Sequence, residues 1–167
     1  VPAVIVNPGV VLGPGFWTSG SGLLFKMAAK GKTYVTEGVT GYVAVQDVVT
    51  AMIGLMHSSI ENQRYILADT LRSYMEIIQM ISKELNRKPP TRIASPFLLK
   101  LAWRMDWLTS KLMRRKRRLT KQLSGSLQKK SLYSSEKIKQ DLEGFTFTPI
   151  TDSIAATSQI FLKEVGS

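Results

Sequence analysis

The first sixteen residues, VPAVIVNPGVVLGPGF, constrain the fold more than any other stretch of the chain. Val1, Ala3, Val4, Ile5 and Val6 form a near-continuous apolar run, the pattern of a strand covered on both faces as in a parallel sheet. Asn7-Pro8-Gly9 breaks the run and Val10-Val11-Leu12 resumes it. Gly13-Pro14-Gly15 then ends it where a backbone has to turn or approach a ligand closely. The sequence opens on Val1 instead of an initiator Met, and no targeting sequence is expected within it. The expectation is a segment of a larger fold in which a buried strand delivers a loop to a site.

Downstream, strands and helices alternate. Ser21 is placed to cap a helix through Leu23, Leu24, Phe25 and Met27, with Gly31 as its stop. Lys32 to Thr36 reads as extended, Gly41 to Val45 as a strand, and Asp47 as the cap of a helix carrying Val48, Val49, Met52, Ile53 and Met56. Arg64 to Leu67 reads as another strand. Ser73-Tyr74-Met75-Glu76 is a capping box, opening a helix with Ile77, Ile78, Ile81 and Leu85 inward and Pro89-Pro90 closing it. Ser95-Pro96 starts a long helix. On it Phe97, Leu101, Met105, Leu108 and Leu112 form an apolar stripe that Trp103 and Trp107 widen, a pattern suited to core, to an interface or to a cavity wall. The last helix is expected from about Thr151 to Val165, with Ile154, Ile160 and Phe161.

With 167 residues the chain can build one domain with a real core. It has no uninterrupted apolar run of transmembrane length. The absence of cysteine excludes disulfides and thiolate metal sites and is compatible with a cytoplasmic location. His57 is the sole histidine, which excludes a histidine metal cluster or a histidine-based triad and reads as a surface residue. No metal site is expected.

Four short motifs in order carry a resemblance. Asn7-Pro8-Gly9-Val10-Val11-Leu12-Gly13-Pro14 resembles the strand after the catalytic helix in extended short-chain dehydrogenases/reductases, the NAD(P)-dependent epimerase/dehydratase superfamily. Gly41 to Ala51, with Asp47-Val48-Val49, is similar to that family's next strand-plus-helix segment. Arg64-Tyr65-Ile66-Leu67 follows, and then Ser134-Ser135-Glu136-Lys137-Ile138 leading to Gly144-Phe145. The resemblance covers nearly the whole chain but only the C-terminal half of the family's fold. It implies an α/β fragment: the last strands of a Rossmann-type parallel sheet with the substrate loop (residues 1–70), then a mostly helical substrate-binding portion (residues 71–167). The N-terminal cofactor-binding half would be absent.

The same resemblance implies an NAD or NADP cofactor, of whose site this chain holds one wall. Pro8, Gly9, Val10 and Val11 would lie beside the nicotinamide ring and its carboxamide, where proline fixes the chain and glycine removes bulk. Asn7 would point toward substrate or bond to local backbone as a turn-forming residue. Phe16, Trp17, Thr18 and Ser19 fall on the loop expected to line a substrate pocket, with Trp17 equally suited to core filling. No glycine-rich cofactor fingerprint is present: Gly13/Gly15 and Gly20/Gly22 are pairs without a third glycine at the required offset. The family's catalytic Tyr-x-x-x-Lys would precede Val1, so no catalytic residue is assigned. Tyr133-Ser134-Ser135-Glu136-Lys137 has that spacing. It lies more than a hundred residues past the Asn-Pro-Gly strand, and Ser134 or Ser135 reads instead as the cap of a short helix ending near Gly144.

Nucleotide-sugar epimerases often carry an arginine before the strand at Gly41, whereas this chain has none between Gly31 and Gln63. That argues against a nucleoside-diphosphate sugar and for a small carbonyl compound. The resemblance implies a full-length homodimer that reduces or epimerises a small carbonyl or sugar-like substrate, and the fragment, without the cofactor fingerprint and catalytic pair, is expected to be inactive. The net charge of +11 concentrates around Arg114-Arg115-Lys116-Arg117-Arg118, with Lys111, Lys121, Lys129 and Lys130 nearby. A cluster of this kind offers an alternative reading, a basic module for nucleic acid or an anionic membrane surface through residues 111–130, against a solvated loop balanced by acidic groups elsewhere.

Overall fold

The computed structural model describes residues 2–31, 34–95, 97, 104–105, 107 and 129–166. Twelve elements follow in order: β1 (Ile5–Pro8), β2 (Val10–Leu12), α1 (Gly22–Ala29), β3 (Tyr34–Val35), β4 (Val39–Ala44), α2 (Val45–His57), β5 (Arg64–Leu67), β6 (Thr70–Ser73), α3 (Tyr74–Glu84), β7 (Arg92–Ile93), α4 (Glu136–Asp141) and α5 (Ile150–Val165). The fold class is α/β with parallel pairing, as expected for part of a Rossmann-type fold. β1 runs parallel to β5, with Ile5 opposite Arg64 and Pro8 opposite Leu67. β2 runs parallel to β4, with Val10 opposite Tyr42, while β6 pairs antiparallel on the far side of β4. β3 and β7 form a two-residue parallel pair.

Side-chain alternation on β4 divides the interior. Tyr42 enters one core with Leu12, Trp17, Phe25, Ile77, Ile81, Ile154 and Phe161, under α1, α3 and α5. Val43, its neighbour, enters a second core with Ala51, Leu55, Tyr65, Leu67, Ile138 and Phe145, under α2 and α4. Each core draws on residues from both sides of position 70. Full burial of one such aliphatic or aromatic side chain is worth about 1.5–3 kcal/mol.

Several boundaries behave as the sequence predicts. Ser73 caps α3 through a complete capping box, its hydroxyl accepting from the Glu76 amide while the Glu76 carboxylate accepts from the Ser73 amide at 2.8 Å. These bonds hold the Glu76 carboxyl below its ordinary range. Gly31 follows α1 at φ +60 and Gly144 follows α4 at φ +73, both in the left-handed region that favours glycine.

Other expectations need correction. The first strand is not covered on both faces. It comprises Ile5–Pro8, its sole sheet partner among the described residues is β5, and Ile5 is 46% exposed. Asn7 and Pro8 are its last two residues and do not break it; the change of direction falls on Gly9 alone. Ser21 does not cap α1, because its hydroxyl donates to the Val11 carbonyl at 2.6 Å. Asp47 does not cap α2 either: β4 passes directly into the helix at Val45, so Asp47 falls in the first turn and its carboxylate faces elsewhere. α2 buries Ala51 and Leu55, leaving Val49, Met52, Ile53 and Met56 exposed. α3 ends at Glu84 with Asn86 at φ +51, ahead of the prolines.

The helix expected from Ser95 lies almost wholly outside the described residues, and its members Phe97, Met105 and Trp107 are exposed. Residues 111–128 of the basic segment also lie outside them. Val39 donates its N–H to the Lys129 carbonyl and accepts the Ser131 N–H, which ties the end of that segment to β4. No helix among the described residues is long and apolar enough to cross a membrane.

Candidate functional site

β1 and β2 are separated by one residue yet belong to different sheets. Pro8 is opposite Leu67 on β5, whereas Val10 is opposite Tyr42 on β4. Gly9 makes the step. Its N–H donates to the Leu67 carbonyl at 2.9 Å, continuing the first ladder, while its Cα lies against the backbone of Gly41. A Cβ there would overlap the Gly41 carbonyl oxygen and sit 2.8 Å from the carbonyl carbon, so only glycine fits. Asp69 returns the stitch on the other side, its N–H donating to the Tyr42 carbonyl at 2.8 Å. The two parallel pairs therefore part at a glycine–glycine contact that lies at the carboxyl end of β1 and the amino end of β2. Crevices at the carboxyl ends of parallel strands, where neighbouring strands part, are where open α/β sheets bind ligands.

Of the residues singled out in the sequence, Pro8 and Asn7 are exposed at the end of β1. Pro8 joins Val4, Val6, Val48, Met52 and Met56 along an apolar groove of about 490 Å³ between β1 and α2. Val10 and Val11 are half-buried, one against each core, so what they can present is backbone. Among the described residues β2 has a partner strand, β4, on one side only, and its Val11 carbonyl accepts the Ser21 hydroxyl.

The loop that follows β2 encloses a second hollow of about 320 Å³, lined among others by Gly13, Pro14, Phe16, Ser19, Ser21 and Val45. Phe16 is 82% exposed, and Thr18 and Ser19 are exposed beside it. Trp17 is turned the other way. It is 7% exposed, edge-on to Phe25 at 5.7 Å and to Phe161 at 4.9 Å, and its indole N–H donates to Glu164 at 2.6 Å. The structure thus brings Phe16 and Ser19 to one rim, leaves Thr18 exposed between them in sequence and places Trp17 in the core.

Residues that the sequence did not single out complete the far wall. A hollow of about 310 Å³ on the other side of Pro14 is lined by Gln46, Thr148, Asp152, Ser153 and Thr157. It is held by two carboxylates. Asp47, 5% exposed, accepts from the Thr148 N–H at 2.9 Å and from its hydroxyl at 2.7 Å, and Asp69 accepts from the Ile150 N–H at 3.1 Å. Burial pushes the Asp69 carboxyl above its ordinary value and the Asp47 charge adds to this, while the Ile150 N–H and the cations Lys139 and Arg72 oppose it. The bonded residues are 101 and 81 positions apart, a separation with no local signal.

Tyr133 and Lys137 do not form a pair. α4 begins at Glu136, so Tyr133 precedes the helix instead of sitting one turn below the lysine. Tyr133 lies over Gly41, whereas the Lys137 ammonium bonds the Gln63 carboxamide and sits 5.1 Å above the Tyr65 ring. Ser135 precedes α4 but gives it no side-chain cap, its hydroxyl accepting the buried Ala68 N–H at 2.8 Å. No cluster of three metal-ligating side chains occurs among the described residues, and His57 is exposed at the end of α2.

Neither a protein-family model nor a curated sequence matches the chain. Solved structures match its fold. The structure of gox2253 has a TM-score of 0.73 at 20% identity, covering 97% of this chain and 49% of that one. A nucleoside-diphosphate-sugar epimerase from Pseudomonas aeruginosa has a TM-score of 0.71 at 15% identity, covering 99% and 49%. The Bordetella bronchiseptica enzyme WbmH, solved with NAD+, has a TM-score of 0.64 at 17% identity, covering 98% and 46%. RMD from Pseudomonas aeruginosa, another match, was solved with NADPH. The chain spans about half the length of these proteins and has the fold of one half of a Rossmann-type epimerase or dehydratase.

Proposed function

We propose that this chain is the substrate-binding half of an NAD(P)-dependent oxidoreductase or epimerase, acting in the full-length protein on a small carbonyl or sugar-like compound. The observation that carries the reading is the parting of two parallel strand pairs at Gly9, which leaves the end of β1 exposed one residue ahead of β2, the strand that leads into the Phe16 loop. A nicotinamide ring is flat and apolar, with a carboxamide at one side. It suits Pro8 as the apolar wall and the edge backbone of Val10 and Val11 for the carboxamide, with the Val11 carbonyl already accepting the Ser21 hydroxyl and Gly9 closed against Gly41. Bound there, such a cofactor would supply or accept a hydride.

The residues present do the binding and not the proton transfer. Asn7, on the exposed face of β1, and Phe16, Thr18 and Ser19, on the loop after β2, supply a carboxamide, an aromatic wall and two hydroxyls that orient a small polar molecule. Trp17 acts beneath them as the loop's anchor. Among the described residues Tyr133 lies over Gly41 and Lys137 bonds Gln63, so neither a phenol–ammonium pair nor a phosphate site is assigned to them. Both are assigned to the complementary half, which the open edge of β1 and the half-length matches support.

Titration of 15N-labelled chain with NADH and with NADPH tests this. The expected result is no turnover and weak binding, at millimolar cofactor, with amide shifts confined to residues 7–12 and 16–21. Micromolar binding, or shifts that leave 7–12 untouched, would place the cofactor site elsewhere.

A further inference from the structure

Residues 13–21 are held at two levels. At the neck, the Ser21 hydroxyl bonds the Val11 carbonyl, and Gly22 packs against the Phe16 carbonyl so closely that a side chain there is excluded. Gly15 at φ +122 and Gly20 at φ +57 bracket the span between, with open space around both. These are positions at which the backbone can swing. Within that span, the side chain that enters the core is Trp17. Its ring is wedged between Phe25 and Phe161, and its N–H reaches Glu164 on the last turn of α5, 147 residues away.

Packing and hydrogen bonding do different things to that ring. Edge-to-face contacts with two phenylalanines bury the indole but tolerate rotation about its attachment. The indole N–H, part-buried, donates to the Glu164 carboxylate at 2.6 Å, and that bond selects one orientation of the ring. Orientation of the Trp17 side chain is also orientation of the loop backbone, since Phe16 and Thr18 flank the same Cα.

We propose that Glu164 is a positioning residue for the 13–21 loop, acting through the Trp17 indole to fix where Phe16, Thr18 and Ser19 stand. The loop's role as a substrate wall rests on the function proposed above; the coupling itself does not. Glu164 is itself exposed, so without its carboxylate the part-buried indole N–H turns to water, which does not hold the ring in one orientation.

The test uses the 167-residue chain with Glu164→Leu, which removes the acceptor, and Glu164→Gln, which keeps one. The Trp17 indole resonance, identified by its loss in Trp17→Phe, is read alongside amide exchange of residues 13–21 and of the α3 core at Ile77–Ile81. In Glu164→Leu the indole signal should move and loop exchange should rise about tenfold or more, with the α3 amides unchanged. Glu164→Gln should restore most of the protection. Loop exchange within about threefold of the parent in Glu164→Leu would overturn the proposal. So would an equal rise at Ile77–Ile81, which means general destabilisation, or a failure of Glu164→Gln to rescue. The exchange readout needs no ligand, so it succeeds or fails independently of the cofactor titration.

Discussion

Replacing Asp47 by alanine should loosen the whole C-terminal helix from the rest of the protein. The carboxylate is buried in the first turn of α2, where the helix dipole favours a negative charge, and it receives both the amide and the hydroxyl of Thr148. Hydrogen bonds to a charged group contribute about 1.5–3 kcal/mol each. Thr148 is half-buried, so its freed hydroxyl can turn to water, whereas its amide, fixed two residues ahead of α5, cannot. The amide then accounts for most of the loss and the hydroxyl for about 1 kcal/mol, giving about 2–4 kcal/mol together. For a chain of this size each kcal/mol moves the melting temperature by about 2–4 °C. Asp47→Ala should therefore melt about 5–15 °C lower by calorimetry or circular dichroism. Thr148→Val, which removes only the hydroxyl, should lose about 2–4 °C, and Asp47→Asn, with one acceptor left, should fall between. Because the two residues share their bonds, the double variant should be less destabilised than the sum of the singles by about 1 kcal/mol. A melting temperature within 1 °C of the parent for Asp47→Ala, or strict additivity with Thr148→Val, refutes the claim that this contact anchors α5.

Three further outcomes follow from other contacts. The Tyr42 hydroxyl is fully buried with no hydrogen-bond partner among the described residues, and burial, then the Tyr74 and Glu76 charges, raises its pKa; Tyr42→Phe should melt at or above the parent temperature, and a loss of more than about 3 °C would reveal a partner. Gly9→Ala should cost about 1–3 kcal/mol in denaturant unfolding, because the atoms a Cβ meets are Gly41 backbone and cannot rotate away; an unchanged midpoint would show that the two sheets do not touch there. Burial, with the hydrogen bond to Asp141 and that residue's charge, pushes the Tyr65 phenol up to about 12. A raised folded-state value stabilises fully below the ordinary pKa near 10 and is lost as pH rises toward 12, so Tyr65→Phe should flatten that part of the alkaline unfolding curve, and an identical curve would contradict it.

Local signals were legible in the residues. The capping box at Ser73 and the glycines at 31 and 144 announce helix ends through chemistry contained within four residues, and each appears where expected. The inward face of α3, Ile77, Ile78, Ile81 and Leu85, is read from periodicity alone and is buried throughout. What failed is what needs a partner far away. Ser21 and Asp47 are sound cap residues by type, but a carbonyl ten residues back and a threonine 101 residues on compete for their side chains and win. β6, four residues of mixed character, is a strand because β4 offers it an edge, and nothing in Thr70–Ser73 says so. Trp17 suits a pocket wall and a core equally by composition; Phe25, Phe161 and Glu164 decide it.

The same partition explains why the candidate site lies where it does. Tyr42 and Val43 on β4, and Val10 and Val11 beside them on β2, send successive side chains into opposite cores, so these two strands are the wall between the cores. A loop leaving the end of that wall belongs to neither core by default and has to be fastened to each separately. Ser21 fastens it to β2, Trp17 to the core under α5, and Pro14 borders the hollow whose far side Asp47 holds in place. α5 is thus attached at both ends, at Thr148–Ile150 by two carboxylates and at Glu164 by one indole, and a shift of the helix at either end would be carried to opposite sides of the same loop. Changes in the core under α5 should therefore move Phe16 and Ser19, whereas changes under α2 and α4 should act first on the Pro8 side of the crevice.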